Sequence, residues 1–121
     1  MSVDEHEIGT VLVALADPTR RELLDALAEE GQASATTLAG RLPVSRQAVV
    51  KHLRVLEEAG LVRYGRLGRE VLYEVRPAPL DSSARWLAER AAAWDRRLEA
   101  IKRVAENPPA RPSDKPADHE H

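Results

Sequence analysis

The chain contains no cysteine and no phenylalanine, and only 3% of its residues are aromatic. Without thiols, disulfides, thiolate metal sites and cysteine nucleophiles are all excluded. With so few aromatics, Leu, Val and Ala must build the core, which suits packed helices better than a sheet sandwich. No apolar run approaches the length that spans a bilayer. The N-terminus, Met1-Ser2-Val3-Asp4-Glu5, is acidic rather than signal-like, so the expected place is the cytoplasm with no membrane partner. A length of 121 residues leaves room for one domain with one core. No Ser-His-Asp set, no pair of catalytic carboxylates and no phosphate-cradling glycine loop is apparent. Gly65-Arg66-Leu67-Gly68 is too short for the last of these, so neither an enzyme nor a cofactor is expected.

What is present is an uneven charge distribution. The formal net charge is −2, yet residues 41–69 hold Arg41, Arg46, Lys51, Arg54, Arg63, Arg66 and Arg69 against only Glu57 and Glu58. Residues 1–40 are strongly acidic by comparison, with Arg20 and Arg21 their only strong bases. A basic segment inside an acidic chain is an electrostatic footprint for phosphate, and the asymmetry matters more than the overall balance.

Hydrophobic spacing predicts the element order. Ile8, Val11, Leu12 and Leu15 predict a helix over about 6–16. Asp17-Pro18 restarts the chain as N-cap and first helical residue, with Leu23, Leu24, Leu27 and Ala28 inward and Gly31 as the stop. Ser34 caps a short third helix carrying Leu38, Ala39 and Leu42, which Pro43 ends. Ser45 caps a fourth helix over 45–59, closed by Gly60. Alternation predicts strands at Leu61 to Tyr64 and Val71 to Val75, with Gly65 and Gly68 bracketing the tip and Pro77 and Pro79 breaking the second strand. A long helix follows from Leu80 to about Asn107, and the Pro-rich segment 108–121 reads as a disordered tail. The expected fold is mainly α with a small β-hairpin: a winged helix-turn-helix, ααααββα, over residues 1–107, with Pro43-Val44-Ser45 as its turn.

The fourth helix carries the candidate chemistry. Val49, Leu53 and Leu56 form an apolar stripe, while Arg46, Gln47, Val50, Lys51 and Arg54 lie toward the other side. Arg can fork onto guanine, Gln can pair with adenine, and Val can touch a thymine methyl. Lys51 and Arg54 can equally hold phosphates, and Ser45 at the positive helix end favours an anion. His52 flanks the stripe, as a packed residue or a phosphate contact rather than a metal ligand. In the wing, Arg63, Arg66 and Arg69 surround the two glycines, suited to a narrow minor groove. A merely solvated helix face would interleave charge signs, which this one does not do until Glu57-Glu58.

In the last helix, Leu80, Ala84, Leu87, Ala91, Trp94, Leu98, Ile101 and Ala105 step by four and three, a sustained heptad. So long a seam exceeds the needs of a small core, which points to a homodimer. Its expected contacts are Ile8 and Leu12 from the first helix with Leu87, Ala91, Trp94, Leu98 and Ile101 from the last. Two reading helices would then meet a pseudo-palindromic double-stranded operator. A protein-interaction module without DNA contact is the competing reading, and the basic outer face counts against it.

Three segments together resemble the ArsR/SmtB family of bacterial winged-helix repressors: Leu15-Ala16-Asp17-Pro18-Thr19-Arg20-Arg21 with Leu23-Leu24; Ser45-Arg46-Gln47-Ala48-Val49 with Lys51 to Leu56; and Glu58 to Val62 with Gly68 to Tyr73. The resemblance spans about residues 8–105. It implies a nucleoid-associated homodimer, formed by the first and last helices, that blocks transcription at operator DNA. Two departures concern metal: there are no cysteines, and the last helix offers Asp81, Glu89, Asp95 and Glu99 but no His. His119 and His121 in the tail are too sparse to form a site, so no metal is expected. Val50 also stands where a small polar residue is common in the family. The effector, whether small molecule or protein, is not identified by these residues.

Overall fold

A computed structural model describes residues 5–106; the segment 108–121 read as a tail lies outside them. The chain runs α1 (Glu5–Leu15), α2 (Pro18–Glu30), α3 (Ala35–Ala39), α4 (Arg46–Glu58), β1 (Val62–Leu67), β2 (Glu70–Val75) and α5 (Pro77–Glu106). It divides into two compact units, one ending at Trp86 and one beginning at Leu87. The order ααααββα is the one that spacing predicts.

Local chemistry sets the helix ends. Asp17 is the N-cap of α2, its carboxylate accepting from the amides of Thr19 at 2.8 Å and Arg20 at 3.2 Å. Ser34 accepts from Thr37 N and Ser45 from Ala48 N, both at 3.1 Å, capping α3 and α4. Gly31 at φ 82° closes α2. After α4, Gly60 at φ 78° lets Leu61 N donate back to Leu56 O at 2.9 Å, a Schellman closure that a side-chain-bearing residue would strain.

Several expectations are corrected. α3 stops at Ala39 with Gly40 as its cap, three residues before Pro43, because Gly40 N already folds back to the Thr36 and Thr37 carbonyls. The connection to α4 is therefore longer than Pro43-Val44-Ser45. In α2 the inward small residue is Ala26, and Ala28 is exposed. Pro77 and Pro79 begin α5 rather than merely breaking β2; in a first helical turn their missing N–H groups are no loss.

The core of the first unit is aliphatic. Leu23, Leu27, Leu38, Val49, Leu53, Leu56 and Leu61 are fully buried, with Val11, Ala14 and Val62 beside them. Each large side chain withdrawn from water contributes about 1.5–3 kcal/mol. That core fixes α4 against α2 and α3 through its inner face and leaves its outer face in solvent. In the second unit, α5 continues with Leu87, Trp94, Leu98, Ile101 and Val104 exposed.

Candidate nucleic-acid interface

The outer face of α4 is built by the spacing of its buried residues. With Val49, Leu53 and Leu56 inside, Gln47, Lys51 and Arg54 fall on one exposed stripe at i, i+4 and i+7, flanked by exposed Arg46. Gln47, Lys51 and Arg54 form no ion pair or hydrogen bond with other described side chains. Arg46 donates from Nε to Thr36 Oγ1 at 3.1 Å, which holds its guanidinium beside α3. The hydroxyl of Ser45 is committed to its capping bond, so it orients the helix start. Val50 differs from its expected outward place. It is half-buried and packs on the core, because one residue of helical rotation from Val49 leaves it at the edge of the stripe.

His52 is half-buried against the α1–α2 corner, its Nδ1 3.5 Å from Arg20 Nη1. Arg20 also donates to the carbonyls of Ala14 at 2.6 Å and Val13 at 3.2 Å, closing the C-terminal end of α1. Arg21 does the same for Leu15 O at 2.6 Å. Burial works against ionisation of Asp17, but the Arg20 and Thr19 amides and the Arg20 charge outweigh it. They hold the carboxyl below the ordinary Asp range. Asp17, Arg20 and His52 thus tie the α1–α2 corner to α4.

The wing is longer than alternation suggests. β1 and β2 pair antiparallel from Val62↔Val75 to Leu67↔Glu70, so Gly68-Arg69 forms a two-residue turn with Gly68 at φ 63°. Gly65 does not bracket the tip; it lies within β1 opposite Leu72. The three wing arginines separate into two kinds. Arg63 is paired with Glu74, whose carboxyl is held below its usual range by hydrogen bonds from Arg63 and then Gln32. Arg66 and Arg69 are exposed, with no ion pair among the described residues. Arg41 is likewise committed elsewhere, to Glu29, Glu30 and the Ala26 carbonyl.

Two residues that composition did not single out complete the surface. Tyr64 and Tyr73 face each other across the hairpin with ring centroids 5.8 Å apart. Burial chiefly raises the Tyr73 phenol above its ordinary value, while the charges of Arg46 and Arg54 act in the opposite sense, which couples this face electrostatically to α4. Tyr64 is 56% exposed on the same face as Arg66. The Arg46–Thr36 and Arg20–His52 contacts were also missed, being tertiary with no local signal. Among the dimer candidates, Ile8 is corrected: at 2% exposure it is covered by its own chain. Leu12 is 36% exposed, and Leu87, Ala91, Trp94, Leu98 and Ile101 are exposed.

A family model described as a helix-turn-helix domain matches residues 15–64, from the end of α1 into the wing. An ArsR-like transcriptional regulator from Rhodococcus sp. RHA1 superposes with a TM-score of 0.76 at 48% identity, covering 85% of this chain and 96% of that one. The chain belongs to the ArsR/SmtB family. Among other relatives, the transcriptional repressor SdpR of Bacillus subtilis is 30% identical over 66% of this chain and 88% of its own length. A transcriptional repressor SmtB homolog of Synechocystis sp. is 40% identical over 62% of this chain, but the match spans only 57% of that protein. In this winged helix-turn-helix fold, α4 is the second helix of the helix-turn-helix and β1–β2 is the wing. No group of three or more His, Asp or Glu able to hold a metal ion occurs among the described residues, and none of their helices is long and apolar enough to cross a membrane.

Proposed function

We propose that the protein is a DNA-binding transcriptional repressor that reads a pseudo-palindromic operator as a homodimer. The observation that carries this reading is the unpartnered stripe Gln47, Lys51 and Arg54 on a helix whose other face is locked in the core. Gln47 is assigned to a base edge, Lys51 and Arg54 to base edges or phosphates, and Arg66 and Arg69 to the flanking minor groove. Arg46 joins them, while Ser45, Val50, His52 and Arg63 act mainly by positioning. Tyr64, beside Arg66, adds a phenol suited to a phosphate oxygen.

The homodimer reading is supported by the exposed stripe of Leu87, Ala91, Trp94, Leu98 and Ile101 on α5, with Leu12 and Val13 exposed on α1. Two-fold pairing would set the reading helices about 34 Å apart, one turn of DNA. Such a protein acts in the bacterial cytoplasm, at the nucleoid. A protein-interaction role without DNA is disfavoured, since the named relatives are transcriptional regulators.

The test is a mobility-shift titration with the DNA upstream of its own gene across a series of salt concentrations. A sequence-specific complex that weakens steeply with salt is expected. Equal affinity for operator and scrambled DNA at every salt concentration would falsify the reading.

A further inference from the structure

A groove of about 480 Å³ opens between α1, the C-terminal end of α4 and the start of α5, and none of the proposed DNA contacts lines it. That volume is in the range of small-molecule sites. Ala59, Ala78 and Pro79 give it an apolar lining above the buried Ile8 and Val11, and it carries charges of both signs: Glu7 and Glu58 against Arg76. None of these three charged side chains forms an ion pair or hydrogen bond among the described residues. The two helix ends add the same duality. The last residues of α4 present the negative end of a helix dipole, and the first residues of α5 the positive end. In the wall, Ser83 is only 5% exposed and its hydroxyl has no hydrogen-bond partner. Such a group lowers stability until something satisfies it.

We propose that this groove binds a small zwitterion with an apolar body, of the class of an apolar α-amino acid. Its carboxylate pairs with Arg76 just before α5, its ammonium with Glu58 at the end of α4, and its side chain covers Ala59, Ala78 and Pro79. A plain carboxylic acid leaves the carboxylates unmatched, and a plain amine leaves Arg76 unmatched. Because one wall is the end of the helix that carries Gln47, Lys51 and Arg54, occupancy bears on the DNA-reading head. That regulatory consequence rests on the DNA-binding reading above; the binding itself does not.

The experiment titrates the full chain by calorimetry with L-phenylalanine, 2-phenylethylamine and 3-phenylpropanoate. Phenylalanine is expected to saturate one site per chain and to bind about tenfold tighter than either analogue, the factor lost with one charge-assisted contact. Arg76→Gln should weaken phenylalanine and phenylpropanoate by about tenfold and spare the amine, while Glu58→Gln should do the reverse. Both side chains are exposed, so the variants should keep the wild-type circular dichroism. No saturable binding of phenylalanine overturns the site, as a groove filled by a second subunit would produce. So does binding that both variants leave unchanged. Operator affinity is then measured with and without saturating phenylalanine: a changed affinity supports the regulatory role and an unchanged one overturns it. If no operator complex forms at all, the DNA-binding reading fails, and the calorimetry still decides the site.

Discussion

The side chains of α4 divide by what they already touch. Gln47 and Lys51 have no ion-pair or side-chain hydrogen-bond partner among the described residues, so their substitutions should report on DNA alone. Gln47→Ala should cost about 1–3 kcal/mol at one base step and relax preference there. Lys51→Ala should weaken binding to all sequences alike and reduce the salt slope by about one. Competition binding against a set of single-base operator variants separates the two patterns; a base-selective loss for Lys51→Ala would contradict a phosphate role. Asp17 belongs to stability. Its carboxyl titrates lower in the folded chain than its ordinary value, so its contribution is present at neutral pH. That contribution is lost as pH falls from the ordinary Asp range, about 3.9, through the lower folded value. Thermal unfolding between pH 6 and pH 3 should therefore show a smaller acid-induced loss of Tm in Asp17→Asn than in the wild type. At this scale the sequence was legible wherever one residue acts on its neighbours, as Asp17, Ser34, Ser45 and Gly60 do. It was silent on Arg20 with His52 and on Gln32 with Glu74, partners 32 and 42 residues apart, because no local pattern encodes a tertiary contact.

Among the elements, the periodic α1, α2 and α4 are legible nearly to their ends, and the short or proline-punctuated boundaries are not. α4 declared itself through an apolar stripe and a cap at each end. α3 has five residues, too few for periodicity to mark its end, and Gly40 stops it with an ordinary helical φ of −73° that leaves no signature. The prolines at 77 and 79 were visible as punctuation, but the same residue type ends a strand and starts a helix. The inner face of α4 is the element's anchor. Leu53→Ala, at a fully buried position, should lower the unfolding free energy by about 2–5 kcal/mol in a denaturant titration. In the wing, Gly68 holds a positive φ that a β-branched residue resists. Gly68→Val should distort the turn, weakening operator binding while leaving the Tm nearly unchanged. A large fall in Tm would place the turn among the structural supports instead.

For the molecule as a whole, the exposed apolar residues of α5 bear on assembly. Its exposed Leu98 and Trp94 predict that Leu98→Asp loosens self-association by at least about 2 kcal/mol, read by sedimentation equilibrium across a concentration series. A wild-type chain that sediments as a monomer throughout would remove the palindrome argument. The heptad was legible in sequence because it repeats. That Ile8 of α1 is buried within its own chain was not, since an apolar residue that completes a chain's own packing and one left exposed look alike in a pattern of apolar positions. One further consequence comes from the root of the hairpin. β2 is bonded there on both sides: to β1, and to Ala33, which exchanges two hydrogen bonds of 3.1 and 2.8 Å with Tyr73. Arg76 N adds a bond to Leu61 O at 2.8 Å. Toward Gly68 there is only the two-stranded ladder. The wing is therefore a cantilever, clamped at one end and compliant at the other. Its amide exchange should grade from slow at Tyr73 to fast at Arg69, and the arginines at its tip can follow the local width of a groove without disturbing the helix beside it.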